Sequence, residues 1–365
     1  MTSRRITMSD VAREARVHQT TVSLALRNDP RLPAQTRLRV RALAKAMGYR
    51  PDPMLSALNF YRTSRDEARA QPTMAFIARI RNKRWDSTFF SDDQFLRGAR
   101  HASERLGYRL VVFPVGSAPT EGTRLSRILR TQGIGGIILA SLDISLRGLA
   151  MDWDHFSALC IESQHLGLSL HTVGNNQTAV TRTAIRRMVE LGYARIGLVV
   201  GEVEEASLGR PFSAGYLIAA HENPHLEGIP PLLLRPNDEA GTASRLRDWV
   251  ACHRIDAVLS NWSSMPELLK SIGLRIPRDL GLATLDHNPN RGAFAGIRQS
   301  HHLVGERAVE ALALLMKTNQ RGEIRLPNVT LVDGVWKDGP ELPRRSRGAA
   351  GSRVRRVRQS PAVAP

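Results

Sequence analysis

The polar side chains between residues 19 and 27 offer hydrogen-bond donors and acceptors without an acidic group. They are Gln19, Thr20, Thr21, Ser23 and Arg27. Amides and hydroxyls can bond the edges of bases, and hydroxyls and arginine suit phosphate oxygens. If these side chains share one face of a helix, that face is suited to lie in the major groove of DNA.

Apolar spacing around this run predicts three short helices in an all-α domain over residues 1–50. Thr7 and Asp10 have the spacing of a capping box before the first helix, and residues 16–18 separate it from a second helix that begins at Gln19. A third helix follows Pro33 and stops at Gly48. The residues expected to face inward are Val11, Ala12, Ala15, Val22, Ala25, Leu26, Val40, Leu43 and Met47. The alternative is that these helices merely cap a larger domain.

Positive charge is concentrated at the two ends of the chain. The 365 residues carry a formal net charge of +18. Residues 1–50 hold eleven Lys or Arg against three Asp or Glu, and residues 341–365 hold seven Arg against one Glu. Such a distribution favours a polyanionic partner. The proline, glycine and arginine content of residues 341–365 predicts a basic disordered tail, and no heptad pattern that would support a coiled coil is present there.

The middle of the chain alternates strand-like and helix-like patterns. Residues 62–72 are charged, lack an apolar face and read as a linker. Residues 73–340 show two runs of strand–helix alternation, which is typical of parallel sheets covered on both faces. We therefore expect an α/β core of two lobes that share a similar build.

Ligands of open parallel sheets bind at the carboxyl ends of strands, in the crevice between lobes. Polar and aromatic side chains that follow predicted strands or open the next helix are Trp85, Phe90, Asn176, Arg210, Asn261, Trp262 and Asp286. Tryptophan side chains suit stacking on a sugar ring or another flat ligand. Any one of these tryptophans is about as well explained as a core residue.

Enzymatic features are weak in this sequence, so we expect no catalytic residue, cofactor or metal. It contains no nucleophile elbow and no phosphate loop. The pairs Asp286-His287 and His301-His302 are the candidates for catalysis or metal binding, but adjacent histidines on a loop lack the i, i+4 geometry of a helical metal site. Cys160 and Cys252 are expected to be buried, reduced thiols. No apolar run approaches the roughly 20 residues of a membrane helix, so a cytoplasmic protein without a membrane partner is expected.

The N-terminal motif resembles the DNA-binding domain of the lactose/galactose repressor family. DVAREARVHQTTVSLALRN matches that family's DVA-x-x-A-G-V-S-x-x-T-V-S-x-x-L-N, and TRLRVRALAKAMGYRPDPMLSAL resembles its third helix, Gly-Tyr-x-Pro turn and hinge helix. The resemblance implies that Gln19 and Thr20 face base edges, with Leu24 nearby. It implies phosphate contacts for Thr21, Ser23, Arg27, Thr36 and Tyr49.

The resemblance also places a hinge helix and linker at residues 51–72. Leu58 falls at the hinge leucine that opens a minor-groove step, as apolar wedges do. Leu55 is an additional apolar hinge residue, which would either deepen the wedge or pack hinge against hinge. The motif departs from the family at Arg16, which replaces a turn glycine, and at His18 and Arg27, which replace serine and asparagine.

The core resembles the sugar-responsive core of the same family and the periplasmic sugar-binding proteins. The matching segments are MVELGYARIGLVVG, RIPRDLGLATLD and AGIRQSHHLVGERAVEAL. Asn261 and Asp286 match positions that bond sugar hydroxyls, whereas Arg210 lies two residues before the family's usual arginine. The resemblance implies a homodimeric repressor that binds a palindromic double-stranded operator under control of a sugar or sugar derivative. An architectural DNA binder without a ligand is the alternative, and a ligand-dependent change in operator affinity separates the two.

Overall fold

The structure is a computed structural model that describes most of the chain. The described residues are 6–26, 29, 31–49, 71–79, 90–115, 121–140, 149–162, 167–226, 228–235, 239–288 and 294–345. They form an N-terminal helical domain and an α/β core of two lobes. The all-α domain and the two lobes with mainly parallel sheets agree with the expected fold class.

Three helices make the N-terminal domain: α1 (Met8–Ala15), α2 (Gln19–Leu26) and α3 (Ala34–Ala46). They enclose a small apolar core whose buried members are Val11, Ala12, Ala15, Val22, Ala25, Val40 and Ala44. Leu26, Leu43 and Met47 pack against this core while remaining partly exposed. The alanines are small enough to let the three helices cross closely, and the predicted inward-facing residues are confirmed.

The first lobe is a sheet covered by helices. Its elements are β1 (Thr73–Arg79), α4 (Phe90–Arg105), β2 (Arg109–Val115), α5 (Glu121–Thr131), β3 (Gly136–Ala140), a 3-10 turn (Trp153–His155), β4 (Ser157–Ile161) and β5 (His171–Asn175). Together with β11 (Val329–Val332), the strands are joined in the order β11-β5-β4-β3-β1-β2, and all the pairings in this sheet are parallel. Strands β3 and β4 are wholly buried, which explains their continuous apolar sequences.

The second lobe repeats this arrangement. Its elements are α6 (Gln177–Glu190), β6 (Ile196–Gly201), α7 (Glu202–Ser207), α8 (Pro211–Glu222), a 3-10 turn (Pro224–Leu226), β7 (Leu232–Leu234), α9 (Glu239–Cys252), β8 (Ala257–Ser260), α10 (Met265–Ser271), β9 (Gly281–Thr284) and β10 (Gly296–Arg298). The sheet order is β12-β10-β9-β8-β6-β7, with β12 (Val335–Lys337) antiparallel to β10. In each lobe the second strand pairs on one side of the first strand, and the later strands are added on its other side, as in doubly wound folds.

The chain passes between the lobes three times. The first passage joins β5 to α6, and the second joins β10 to α11 (His301–Lys317), which packs on α4 and on β3, β4 and β5 of the first lobe. After β11 (Val329–Val332) in the first sheet, the third passage leads to β12 in the second. Each passage begins at the carboxyl end of the strand that precedes it, and all three lie at one side of the core.

The C-terminal tail was predicted to begin at residue 341, and this boundary is wrong by at least five residues. Leu342 is buried in the second lobe, and the Glu341 carbonyl accepts a hydrogen bond from Leu282 N at 3.1 Å. The Arg345 guanidinium lies 4.4 Å from the centre of the Tyr193 ring and 3.4 Å from an Asp256 oxygen. One apolar residue and one stacked arginine therefore bind this segment to the amino ends of β6, β8 and β9. Residues 346–365 lie outside the described residues.

Two further sequence expectations concern cysteines and membrane helices. Cys160 is buried in β4 as expected, and burial raises the pKa of its thiol to about 12. Cys252 is exposed, contrary to expectation, because Leu246 and Trp249 supply the buried face of α9 and Cys252 ends that helix on the solvent side. Among the described residues, no helix is long and apolar enough to cross a membrane.

Candidate DNA-reading helix and interlobe ligand site

The N-terminus of α1 is fixed by a complete capping box. Thr7 Oγ1 accepts a hydrogen bond from Asp10 N at 3.3 Å, and Asp10 Oδ2 accepts one from Thr7 N at 2.9 Å. Arg13 adds a contact of 2.6 Å to the same carboxylate. These bonds satisfy unpaired amides of the first turn and so stabilise the start of the short α1.

The turn between α1 and α2 is left-handed. Arg16 has φ 53° and ψ 44°, and its amide bonds the carbonyls of the last turn of α1. An L-residue pays a steric cost in this region, on the order of 1–2 kcal/mol, that glycine avoids. The turn therefore keeps the geometry that a glycine would adopt, even though the sequence has arginine.

Helix α2 presents its polar side to solvent. His18, Gln19 and Thr20 are exposed, and Thr21, Ser23 and Leu24 are half-buried. The His18 carbonyl accepts from Thr21 N at 2.9 Å, and His18 Nδ1 lies 2.9 Å from Thr20 Oγ1. His18 thus begins the helix and orients the Thr20 hydroxyl. As the sequence predicts, none of these six residues carries a carboxylate.

The other predicted DNA contacts are distributed over α3 and beyond. Thr36 is half-buried near the start of α3, and Tyr49 packs on the domain's core with its amide bonded to the Ala44 carbonyl at 2.9 Å. Six cations of this domain are exposed: Arg13, Arg16, Arg31, Arg39, Arg41 and Lys45. Arg31 is paired with Asp29 at 2.8 Å. Arg27, Leu55 and Leu58 lie outside the described residues.

The three passages between the lobes are tied to one another by hydrogen bonds. Asn176 Nδ2 donates to Asp333 Oδ1 at 2.9 Å, and Ser300 Oγ donates to the Asp333 carbonyl at 3.0 Å. Ser300 N donates to Asn175 Oδ1 at 3.2 Å. Each bond joins residues of two different passages, so the three segments form one connected unit.

A histidine of the first lobe meets an aspartate of the second beside these passages. His301 Nε2 lies 2.8 Å from Asp286 Oδ1, and the His301 side chain is 4% exposed while that of Asp286 is 28% exposed. His301 Nδ1 lies 3.0 Å from Asn175 Nδ2, and the edge of Phe95 packs on the ring at 5.1 Å between centroids. Asp286 is therefore held by a buried partner and retains an exposed side.

Glu162 brings a second carboxylate to this cluster. It follows β4 with φ 49°, and its Oε1 accepts hydrogen bonds from Asn175 N and Asn175 Nδ2, both at 2.8 Å. Gln177 Nε2 donates to Gln299 Oε1 at 2.9 Å, and Gln299 donates to the Leu285 carbonyl at 2.7 Å. Among the residues that the structure describes, no hydrogen-bond partner reaches the buried Gln177 Oε1.

Asn261 and Trp262 lie at the end of β8, the neighbour of the strand that leads to Asp286. Asn261 Oδ1 accepts from Gly201 N at 3.4 Å, which joins the ends of β8 and β6. A Cβ on Gly201 would approach the Trp262 indole nitrogen to 2.8 Å, so this nitrogen lies close to the end of β6, and the Trp262 side chain packs against the core of the second lobe. This is the position where the strand order of the second lobe reverses, the usual ligand crevice of doubly wound sheets.

Other predicted ligand residues have structural partners or lie elsewhere. Asn176 caps α6, since its Oδ1 accepts from Ala179 N at 3.2 Å. Arg210 is exposed in a left-handed turn before α8. A hydrogen bond from Arg235 lowers the pKa of Glu202, and the charge of Arg210 lowers it further. Phe90 is the first residue of α4, and Trp85 lies outside the described residues. The loops after β1 and β3 are likewise outside them.

Sequence reasoning missed Glu162, Asn175, Gln177 and Gln299, and it set aside His301. Glu162 directly follows a predicted strand, so the strand-end criterion could have included it. Asn175 ends β5, whose sequence HTVGN was not recognised as a strand. His301 and His302 were expected on a loop, but they are the first two residues of α11. The interlobe pairing depends on residues distant in sequence, for which the local pattern carries no signal.

Comparison with known proteins agrees with this architecture. Residues 7–52 match the model of the family described as bacterial regulatory proteins, lacI family. The HTH-type transcriptional repressor CytR of Escherichia coli (strain K12) is 25% identical over 293 residues, spanning 77% of this chain and 80% of CytR. The regulator PtxS of Pseudomonas plecoglossicida is 26% identical over 207 residues, spanning 56% of each chain.

Solved structures share the fold at lower identity. The lac repressor dimer bound to operator and the anti-inducer ONPF has a TM-score of 0.56 and 18% identity, covering 93% of this chain and all of that one. The complex of the transcriptional regulator CelR with cellobiose has a TM-score of 0.54 and 19% identity, covering 92% and 100%.

The chain therefore joins a three-helix N-terminal domain that is similar to the lacI family of bacterial regulatory proteins to a two-lobed α/β core that shares the fold of the lac repressor and of CelR.

Proposed function

We propose that this chain is a transcriptional repressor that binds a palindromic operator as a homodimer and releases or tightens its hold when a small molecule binds between the lobes. The observation that carries the proposal is the exposed, carboxylate-free face of α2 on a lacI-family domain. Gln19 and Thr20 offer donors and acceptors to base edges, and hydroxyls and cations around them suit phosphates.

Several further contacts are proposed for the same domain. Thr21, Ser23, Arg27, Thr36 and Tyr49 contact phosphates, His18 and Leu24 border the reading surface, and Leu55 and Leu58 act in the hinge. Two copies of α2 related by a two-fold axis read two half-sites, which is why the operator is palindromic. The lac repressor structure similar to this chain is described as a dimer bound to operator, and it supports this arrangement.

The effector is proposed to bind at the interlobe cluster around Asp286 and at Asn261 and Trp262. Asp286 keeps an exposed side while His301 holds the other, and Gln177 Oε1 is a buried acceptor that no described residue bonds. Carboxylate and amide oxygens that accept hydrogen bonds, next to an indole ring, suit a polyhydroxylated ligand such as a sugar or sugar derivative. Trp85, Phe90, Asn176 and Arg210 complete the predicted set.

The mechanism is a linkage between two equilibria. The ligand changes the relative position of the lobes about the three passages, and this alters the spacing of the two hinges in the dimer. Because the two lobe arrangements differ in operator affinity, the ligand must bind them with different affinities by reciprocity. No catalytic step is assigned to the cleft.

The proposal is tested in two stages with the full-length chain. Genomic DNA fragments that it retains at moderate salt are sequenced, and we expect one palindromic sequence to be enriched. Affinity for that sequence is then measured with a panel of free sugars, sugar phosphates and nucleosides. We expect at least one compound to change the affinity by roughly 5–150-fold, the usual range of allosteric coupling. Uniform retention of all DNA, unaffected by every compound, would favour an architectural binder.

A further inference from the structure

Helices α4 and α11 of the first lobe touch at their backbones. A Cβ on Gly98 would lie 1.8 Å from the His302 carbonyl oxygen, and a Cβ on Gly305 would lie 2.1 Å from the Phe95 carbonyl oxygen. Both glycines are therefore required for the approach. This close contact brings side chains of the two helices together on the outer surface of the lobe.

Three potential metal ligands converge at that surface. His101 comes from α4, and His302 and Glu306 lie one turn apart on α11. His101 Nδ1 is 2.5 Å from Glu306 Oε1, and His302 Nδ1 is 3.8 Å from the same oxygen. One ligand atom from each residue lies within 4.8 Å of the other two. In the described part of the chain, this is the one group of three His, Cys, Asp or Glu side chains with such convergence.

We infer that His101, His302 and Glu306 bind a divalent transition-metal ion such as Zn²⁺. Two imidazoles and one carboxylate are a frequent donor set for zinc, with water as the fourth ligand. Tetrahedral zinc with bonds of about 2.0–2.1 Å separates its ligands by roughly 3.3 Å. Rotation of exposed imidazoles is enough to reach that spacing, since the His101 and His302 side chains are 62% and 47% exposed.

The donor atoms, two imidazole nitrogens and one carboxylate, favour zinc over a hard cation. Mg²⁺ and Ca²⁺ prefer oxygen ligands, whereas imidazole suits Zn²⁺, Ni²⁺ and Cu²⁺. The cluster is also more than an ordinary surface ion pair, because the close contact between α4 and α11 places the two backbones that supply the ligands next to each other. Arg105 pairs with Glu310 at 2.6 Å, so the next charged pair along these helices is already neutralised.

The site adjoins the interlobe contact. His302 is the neighbour of His301, which pairs with Asp286. A metal bound to His302 and Glu306 ties the first two turns of α11 to α4, and it therefore restrains the backbone that carries His301. This consequence for effector binding rests on the proposed function, whereas metal binding itself does not.

The test uses tag-free, full-length protein and Zn²⁺ as the probe. Zinc affinity and stoichiometry are measured by competition with a chromophoric chelator, and the matched variants are H101A/H302A and H221A/H225A. Each variant removes two imidazoles, and His221 and His225 are exposed on the second lobe. We expect one zinc per chain in the parent and in H221A/H225A. H101A/H302A should bind at least tenfold more weakly, the minimum loss seen even for residues behind metal ligands.

Three readouts separate this outcome from loss of fold or adventitious binding. Glu306→Gln keeps both histidines and the helix contact, and we expect it to weaken zinc binding as well. Co²⁺ bound to the parent should give the absorption of a tetrahedral centre, absent from H101A/H302A. Zinc should also slow hydrogen exchange in the first turns of α11. Equal zinc affinity of parent and H101A/H302A, or no zinc bound by the parent, would overturn the site while leaving the proposed DNA function untouched.

Discussion

The His301 imidazole, carried by the first lobe, lies 2.8 Å from the Asp286 carboxylate of the second lobe. Helix α11 leaves the second sheet and packs on the first, so its first residue stands where the lobes meet. Asn175, at the end of β5, holds the other ring nitrogen at 3.0 Å. A ligand that engages Asp286 therefore acts on a group already shared by both lobes.

Removing the Asp286 carboxylate should abolish the response to the effector. In the absence of ligand, we expect Asp286→Ala and the parent to bind operator with the same affinity, because Asp286 belongs to the second lobe and not to the N-terminal domain. Unfolding stability should fall by about 1–3 kcal/mol, since His301 loses a buried partner. Asp248→Ala, an exposed aspartate on α9, is the control. Effector response retained in Asp286→Ala, measured as the ligand-induced change in operator affinity, would remove this residue from the ligand site.

Arg16→Gly should stabilise the N-terminal domain. Arg16 occupies left-handed backbone that costs an L-residue about 1–2 kcal/mol, and the greater freedom of glycine in the unfolded chain offsets part of that gain. A net increase of up to about 1 kcal/mol is expected, seen as slower hydrogen exchange in residues 6–26.

Glu14→Gly provides the matched control for that change. Glu14 is exposed within α1 in right-handed helical backbone, where glycine costs about 1 kcal/mol. The two substitutions to glycine, two residues apart, should therefore shift exchange in opposite directions. Faster exchange in both variants would show that the Arg16 turn stores no strain.

The two cysteines should differ widely in reactivity. Cys252 is exposed at the end of α9, whereas Cys160 is buried in β4 with its pKa raised to about 12 by desolvation. At neutral pH Cys160 is therefore protonated as well as inaccessible, and the thiolate is the reactive form. A thiol reagent should modify Cys252 rapidly in the native protein and Cys160 only in denaturant. Cys252→Ser should remove the rapid phase, and two rapid phases in the parent would contradict the burial of Cys160.

Two truncations separate the packed part of the C-terminus from the remainder. Removing residues 346–365 takes away five arginines; it should preserve stability and make the salt dependence of DNA binding shallower through loss of counterion release. Removing residues 341–365 also deletes the buried Leu342, so stability should fall by about 1.5–3 kcal/mol. Salt titrations and chemical denaturation of both variants check this. Equal stability of the two variants would show that the segment through Arg345 adds nothing, and an unchanged salt slope would exclude the tail from DNA binding.

The elements with a strong local pattern were predictable from sequence. Thr7 and Asp10 form the capping box, and Val22 and Ala25 face inward, as their spacing indicates. The strands 136–140 and 257–260 were predicted to the residue because both are short, continuous apolar runs between turns. A strand that is buried on both faces needs apolar residues at successive positions, so its composition alone identifies it.

The elements that sequence reasoning missed depend on distant partners. Strand β5 contains Gly174 and Asn175, which have low strand propensity, and it is stabilised by pairing with β4 and with β11 more than 150 residues away. The return of α11 to the first lobe places His301 against Asp286, and no local pattern encodes that contact. Leu342 was assigned to a disordered tail because one leucine among prolines and arginines gives no periodic signal.

Sequence discrimination by α2 is the central claim, and the chain contains its own control. The dipeptide Gln-Thr occurs at residues 19–20 on α2 and again at residues 35–36 on α3. Affinities for the enriched operator and for random DNA are measured for the parent, Q19A/T20A and Q35A/T36A. We predict that Q19A/T20A loses about 1–3 kcal/mol or more of discrimination, while Q35A/T36A weakens both affinities together. An operator preference in Q19A/T20A equal to that of the parent would contradict the assignment of α2 as the reading helix.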